Sequence, residues 1–234
     1  MNYKGKVVLI TGSSRGIGNK LCHYFLENDA TVIGLSKSNY SSPGRYHHYR
    51  CDLSDGNNIR TVFRQIAKDH GRIDVLINNA AVLTSQYAMI MPISNAVEMV
   101  QTNLLGTFFV SREAAKIMRK NNFGRIINIG SMAASLEPIG DSIYAATKLG
   151  INSLANVMAK ELSSYHITCN TIGITAIETD MLRQLPKKKI DEVIDGLTIS
   201  RYATPEDIFN VVDFFAAEGS SNITAQIIYF GGVN

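Results

Sequence analysis

Lys6-Val7-Val8-Leu9-Ile10-Thr11, running into Gly12-Ser13-Ser14-Arg15-Gly16-Ile17-Gly18, decides the fold. An unbroken apolar run of this length reads as a strand covered on both faces, which is the mark of a parallel sheet flanked by helices. Ile17 to Asn28 reads as the helix that follows. Glycines at a strand-to-helix junction permit a tight turn and let backbone approach a pyrophosphate held at the helix N-terminus. Any such junction can need a glycine for geometry alone. Its place on the first strand of a βαβ series turns the reading toward a dinucleotide.

The same alternation continues outward. Strands are expected at Thr31 to Leu35, Tyr46 to Cys51, Asp74 to Ile77, Arg125 to Ile129, Ile167 to Ile172 and Gln226 to Phe230. Helices are expected at about Asp55 to His70, Val97 to Lys120, Ser142 to Ser163 and Pro205 to Ala217, the third with Ile143, Ala146, Gly150, Ile151, Leu154, Val157 and Met158 on an apolar face. No repeat or linker divides residues 1–234. The pattern predicts one doubly wound α/β domain of the Rossmann type, a parallel sheet of about seven strands with helices on both faces.

Composition narrows the function. A net charge of +3 with no basic stripe gives no case for nucleic acid. Lys187-Lys188-Lys189 after Pro186 reads as a solvated loop or helix start. Three scattered cysteines imply no disulfide framework, and His47-His48-Tyr49-Arg50-Cys51 lacks metal-site spacing and looks like alternating strand residues, so no metal is expected. No apolar run reaches membrane-spanning length and the N-terminus enters a strand at once, so a cytoplasmic protein off the membrane is expected.

Tyr144-Ala145-Ala146-Thr147-Lys148 sets a phenol and an ammonium on one helix face. A neighbouring positive charge is expected to move the phenol toward a useful acid–base range. Ser131 ends an apolar strand, where ligands of open α/β sheets bind. Taken with the glycine spacing, Asn78-Asn79-Ala80-Ala81 and Asn103, these residues resemble the classical short-chain dehydrogenase/reductase family. Ile177-Glu178-Thr179-Asp180-Met181 and Arg201-x-x-Thr204-Pro205-Glu206-Asp207-Ile208 resemble its 3-oxoacyl-carrier-protein-reductase-like branch, and the likeness runs the length of the chain.

The resemblance implies that Tyr144 exchanges a proton with a carbonyl or alcohol oxygen as hydride passes to or from a nicotinamide. Ser131 would orient that oxygen, Lys148 would hold the nicotinamide ribose and lower the Tyr144 pKa, and Asn103 would support a proton-relaying water. Gly12, Ser14, Arg15, Gly16, Ile17 and Gly18 would cradle the cofactor, Asp52 and Leu53 would meet its adenine, Asn79, Ala80 and Ala81 would line it, and Ile177 with Thr179 would hold its carboxamide. Asp52 could equally cap the helix near Asp55. NAD-binding domains end their second strand in an acid, but Ala30 to Cys51 holds none; Ser36, Lys37 and Arg15 suit a 2′-phosphate, favouring NADP over NAD.

Three places depart from the family pattern. Ala81 stands for glycine, Ile174-Thr175 for Pro-Gly beside the nicotinamide, and Phe230 for aspartate before Gly231-Gly232. Docking cations for an acidic acyl-carrier protein are replaced by Asn121-Asn122-Phe123 and Tyr165-His166, although Arg119 and Lys120 are close. Val82 to Pro92, with Tyr87, Met89 and Met91, is expected to help form the substrate pocket. The leading reading is an NADPH-dependent reductase of a ketone such as a 3-oxoacyl thioester. The alternatives are a dehydrogenase of a polyol, sugar derivative or steroid-like alcohol, and a non-catalytic NADP-binding regulator. The family likeness also implies a homotetramer or homodimer.

Overall fold

The computed structural model describes residues 2–232. Its centre is a parallel sheet of strands β1 (Val7–Thr11), β2 (Thr31–Ser36), β3 (Tyr46–Arg50), β4 (Val75–Asn78), β5 (Gly124–Ile129), β6 (Ile167–Gly173) and β7 (Ile227–Tyr229), in the order β3-β2-β1-β4-β5-β6-β7. All strands run parallel, and the order in which they are added reverses between β1 and β4, so a crevice opens at their carboxyl ends, where such sheets bind ligands.

Burial follows the apolar runs. One face packs Leu9, Ile33, Leu76 and Ile126 beneath helices α2 (Gly56–His70), α4 (Thr107–Lys120) and α6 (Ser142–Leu162). The other packs Val8, Ile10, Ile77 and Ile172 against α1 (Gly16–Glu27) and α8 (Pro205–Ala216). Cys22, Cys51 and Cys169 are free and buried among these side chains, and burial pushes each thiol up to about 12.

Two helical expectations need correction. The helix expected from Val97 begins at Ile93 as α3 (Ile93–Met99) behind Pro92, then widens into a π-helical stretch, Val100–Gly106, before α4. A Cβ on Gly106 would lie 2.7 Å from the Leu53 carbonyl oxygen, so the helix passes that backbone at glycine-only distance. On α6 the buried face is Tyr144, Ala145, Thr147, Lys148, Ile151, Asn152, Ala155, Met158 and Ala159; Ala146 and Val157 point outward. The inward stripe carries the polar residues, so apolar periodicity alone set the face one residue off.

Helix α5 (Ala133–Leu136) and α7 (Lys187–Asp195) were not resolved from sequence, the latter read only as a loop or helix start. Asp55, not Asp52, caps α2, its carboxylate accepting from the Asn57 and Asn58 amides. Asp52 instead accepts from Ser54 in a local turn.

Candidate active site

The turn between β1 and α1 is built for an anion. Gly12 has φ +68°, and a Cβ there would press on Asn79 Nδ2 at 2.9 Å and Ala80 Cα at 3.0 Å. Gly18 packs so tightly that a Cβ would overlap the Gly12 carbonyl. Gly16, by contrast, has φ +57° and nothing nearer its Cβ position than Thr179 Cγ2 at 3.9 Å, leaving a backbone cradle open. Asn79 Nδ2 donates to the Thr11 carbonyl at 2.9 Å, and the Asn79 and Ala80 amides both donate to Thr11 Oγ1 at 3.0 Å. Among the described residues no side chain caps α1, and its first turn holds no acid. Bare amides at a helix start and an open glycine fit the pyrophosphate of a dinucleotide.

Ser131, just after β5, and Tyr144 and Lys148, on α6, come together, and Asn103 on the π-helical stretch reaches the same helix at Thr147, its Nδ2 donating to Thr147 Oγ1 at 3.4 Å. Asn103 is fully buried; its Oδ1 accepts from the Val82 amide at 2.8 Å and its Nδ2 donates to the Val82 carbonyl at 2.9 Å. Lys148 Nζ donates to the Ile129 carbonyl at 2.8 Å and lies 5.7 Å from the centre of the Tyr144 ring. Burial lowers the Lys148 pKa to about 8.

The Tyr144 phenol behaves otherwise than expected. Burial pushes it up to about 12, a hydrogen bond with Ser131 pulls it down, and the Asp141 charge pushes it up. The expected lowering by Lys148 is not realised in the protein alone. The ammonium sits over the ring rather than at the hydroxyl and is itself desolvated and committed to a carbonyl.

A cavity of about 120 Å³ opens beside these groups. Its wall is mainly apolar, with Leu83, Met132, Ile174, Ile177, Met181 and Ile190 prominent, and Ser131, Asp141, Tyr144 and Lys189 supply polar atoms. Tyr87 and Met89, expected in this pocket, are 65% and 97% exposed, whereas Met91 packs with Leu83 against the cluster that holds Tyr144 and Ala133. The methionines that do line it are Met132, next to Ser131, and Met181, carried back to the site by the stretch after β6. Lys189, expected in a solvated run, is turned inward by α7.

Two of the three departures are accommodated. Ala81 lies outside the left-handed φ region, so its methyl group carries no strain. Ile174 and Thr175 form an anchored wall: the Met132 amide donates to the Ile174 carbonyl at 2.9 Å, and the Ala203 amide to the Ala176 carbonyl at 2.8 Å. Ile177 pairs with Ala203 in an isolated bridge, and Thr179 turns toward Gly16. Backbone bonds here do what Pro-Gly stiffness would do.

At the far end of the crevice, Ser36 donates to the Ser38 carbonyl at 2.7 Å, and the exposed Arg15 side chain has no hydrogen bond or ion pair among the described residues. Lys37 pairs with Asp52 at 3.2 Å, both half exposed. Burial pushes the Asp52 carboxyl up, but hydrogen bonds from Ser54 and Lys37 outweigh it and hold it below the usual range. Leu53 is buried beneath, and Ser14 and Ile17 flank the glycine turn. Sequence reasoning missed Arg50: it is level with Ser36 across the β2–β3 pairing and its Nε donates to the Lys37 carbonyl at 3.1 Å. The pairing of β3 beside β2 was the signal that could have found it.

The sheet, the glycine turn and the Ser131–Tyr144–Lys148 grouping define an oxidoreductase acting on CH–OH or C=O groups. A short chain dehydrogenase model matches residues 6–190, and the chain belongs to that family. The 3-oxoacyl-(acyl-carrier-protein) reductase of Thermotoga maritima is 32% identical, covering 99% of this chain and 98% of that protein. The corresponding reductase MabA of Mycobacterium bovis is 30% identical over 98% and 93%. Among solved structures, the ligand-free aldohexose dehydrogenase of Thermoplasma acidophilum matches with TM-score 0.90 and 27% identity over 99% and 94%.

Proposed function

We propose that this protein is an NADPH-dependent reductase of a ketone carried on an aliphatic body, with a 3-oxoacyl thioester as the substrate class. The observation that carries the reading is a Ser131–Tyr144 pair facing a largely apolar cavity, with Lys148 one turn behind. The nicotinamide supplies the hydride. Tyr144, neutral across the physiological range, gives its proton to the substrate oxygen while Ser131 donates a hydrogen bond to the same oxygen. Lys148 holds the nicotinamide ribose and returns the proton to Tyr144 through a water steadied at Asn103. Gly12 to Gly18 take the pyrophosphate, and Arg15 with Lys37 take the 2′-phosphate. Asn79, Ala80 and Ala81 line the bound dinucleotide, and Ile177 and Thr179 take its carboxamide.

Names of relatives divide between acyl-thioester reductases and a sugar dehydrogenase. The mainly apolar wall supports the former, because a polyol would find partners only on the side of Ser131, Asp141, Tyr144 and Lys189 and would leave its other hydroxyls against apolar side chains. An acyl-carrier protein as the thioester's bearer is supported by the cations at this edge: Arg119 lies over the Tyr165 ring at 5.7 Å with Lys120 next in sequence, and Lys6 and Arg72 line a surface hollow with Asn122, Phe123 and His166.

A panel of 3-oxoacyl thioesters on coenzyme A and on acyl-carrier protein, simple ketones, aldohexoses and polyols, followed by NADPH absorbance, tests the reading. Thioester turnover at least tenfold above any sugar is expected, and the reverse order refutes it. Tyr144→Phe is expected to bind NADPH nearly normally while turnover falls at least about a hundredfold. Unchanged turnover would sink the assignment of Tyr144.

A further inference from the structure

Asp141 immediately precedes α6, three residues before Tyr144, and is almost fully buried. It does not cap its own helix. Its carboxylate accepts instead from Lys189 Nζ at 2.9 Å, and the same ammonium donates to Ser85 Oγ at 2.8 Å. Lys189 belongs to α7, Ser85 to the loop after β4, and Asp141 to the entrance of α6, so one side chain ties together three separate walls of the cavity. A backbone bond beside it, from the Gln86 amide to the Gly140 carbonyl at 2.8 Å, closes the same seam between two of them.

The pair matters electrically as well as mechanically. Asp141, Tyr144 and Lys189 are the titratable residues on the cavity wall, with Lys148 buried behind the phenol. A carboxylate this deep is costly unless paired, and its charge bears on Tyr144 one turn away. Lys188, its neighbour, is exposed and only loosely paired with Glu192 at 3.8 Å, so facing the cavity is particular to Lys189 within the basic run.

We propose that Lys189 is a positioning residue of this site: it latches α7 across the cavity mouth and cancels the charge of Asp141 beside Tyr144. The second half rests on the proposed role of Tyr144; the first does not. Removing the ammonium frees α7 and leaves a bare carboxylate that favours the protonated phenol. Removing the carboxylate frees α7 but acts on the phenol in the opposite sense. Losing both frees α7 and restores the electrical balance.

Amide hydrogen exchange in residues 187–195 reads the latch without substrate or cofactor. Lys189→Met and Asp141→Asn are each expected to speed exchange there at least about tenfold, as for a partly buried ion pair deprived of one partner. Lys189→Arg is expected to retain most of the protection, and Asp141→Asn/Lys189→Met to be no worse than either single change. Exchange in Lys189→Met equal to the unmodified protein overturns the latch. The charge is read from the pH profile of oxidation of 3-hydroxybutyryl-coenzyme A with NADP, which needs the phenolate. Its rising limb is expected about one pH unit higher in Lys189→Met and lower in Asp141→Asn, with the double variant near the starting position. Coincident limbs overturn the electrical role. Full turnover in Tyr144→Phe would instead fault the parent reading and leave the exchange result standing.

Discussion

At the scale of single residues, the choice of cofactor rests on very few charges. The Arg15 side chain is exposed and without an ion pair among the described residues, whereas Lys37 is shared with Asp52 at 3.2 Å. Arg15→Ala is therefore expected to weaken NADPH binding more than Lys37→Ala, by at least about tenfold against a few-fold, while NADH binding changes little in either. Titration calorimetry with both cofactors checks this, and a preference of the unmodified protein for NADH would refute the NADP reading. Residues of this kind were legible because local sequence carries them: Gly12, Gly16 and Gly18 declare a turn, and Tyr144 with Lys148 declare one helix face. Arg50, Asp141 and Lys189 were not legible. Arg50 is placed by strand pairing and Lys189 by a returning helix, neither of which spacing along the chain encodes, and Asp141, three residues before Tyr144, shows its part only through its Lys189 partner.

At the scale of elements, the downstream stretch beginning at Arg201 proves to be a brace. Thr204 Oγ1 accepts from the Asp207 amide, Asp207 accepts in return from the Thr204 amide, and Pro205 opens α8, completing a capping box. Arg201 grips the Asp207 carboxylate with two nitrogens, at 2.7 and 2.9 Å. This fixes Ala203, and through the Ile177–Ala203 bridge it holds the loop that carries Ile177 and Thr179. Thr204→Ala is expected to cost about 1 kcal/mol in urea unfolding.

The hydrogen bond from Arg201 holds the Asp207 carboxyl down at about 2, below its ordinary 3.8. A depressed carboxyl stabilises the fold above its unfolded pKa and loses that contribution as pH falls through the folded one. Asp207→Asn is thus expected to lower the melting temperature at neutral pH, with the gap from the unmodified protein narrowing between about pH 4 and pH 2. A constant gap across that window would argue against the pairing. The helix that sequence read as continuous from Val97 holds a π-helical stretch, at whose last residue, Gly106, the turn carrying Leu53 comes close enough to exclude a side chain.

Across the whole molecule, the layering of a parallel sheet between helices follows from the alternation of apolar runs with amphipathic helices, and this much was readable from the start, whereas the strand order came only with the structure. What lies on the outside is less so. Phe108, Leu149 and Val157 leave apolar side chains exposed on α4 and α6, with Leu149 and Val157 about half uncovered. Such faces suit burial against further copies of the chain, in keeping with a dimeric or tetrameric assembly. Leu149→Glu/Val157→Glu is expected to reduce the sedimenting mass severalfold, and a monomer in the unmodified protein would refute the assembly. Apolar periodicity could not separate this face from the core, because both are apolar and only the fold decides which is covered.

The three thiols sunk in the two cores have a practical side. Each is buried and held almost wholly un-ionised near neutral pH, so alkylating reagents meet no ready nucleophile on the folded chain. A cysteine introduced at the exposed position Lys188 would then take a fluorophore or spin label selectively, with no native thiol removed. The molecule comes ready for reporting, in real time, whether the helix over its cavity opens and shuts as substrate passes.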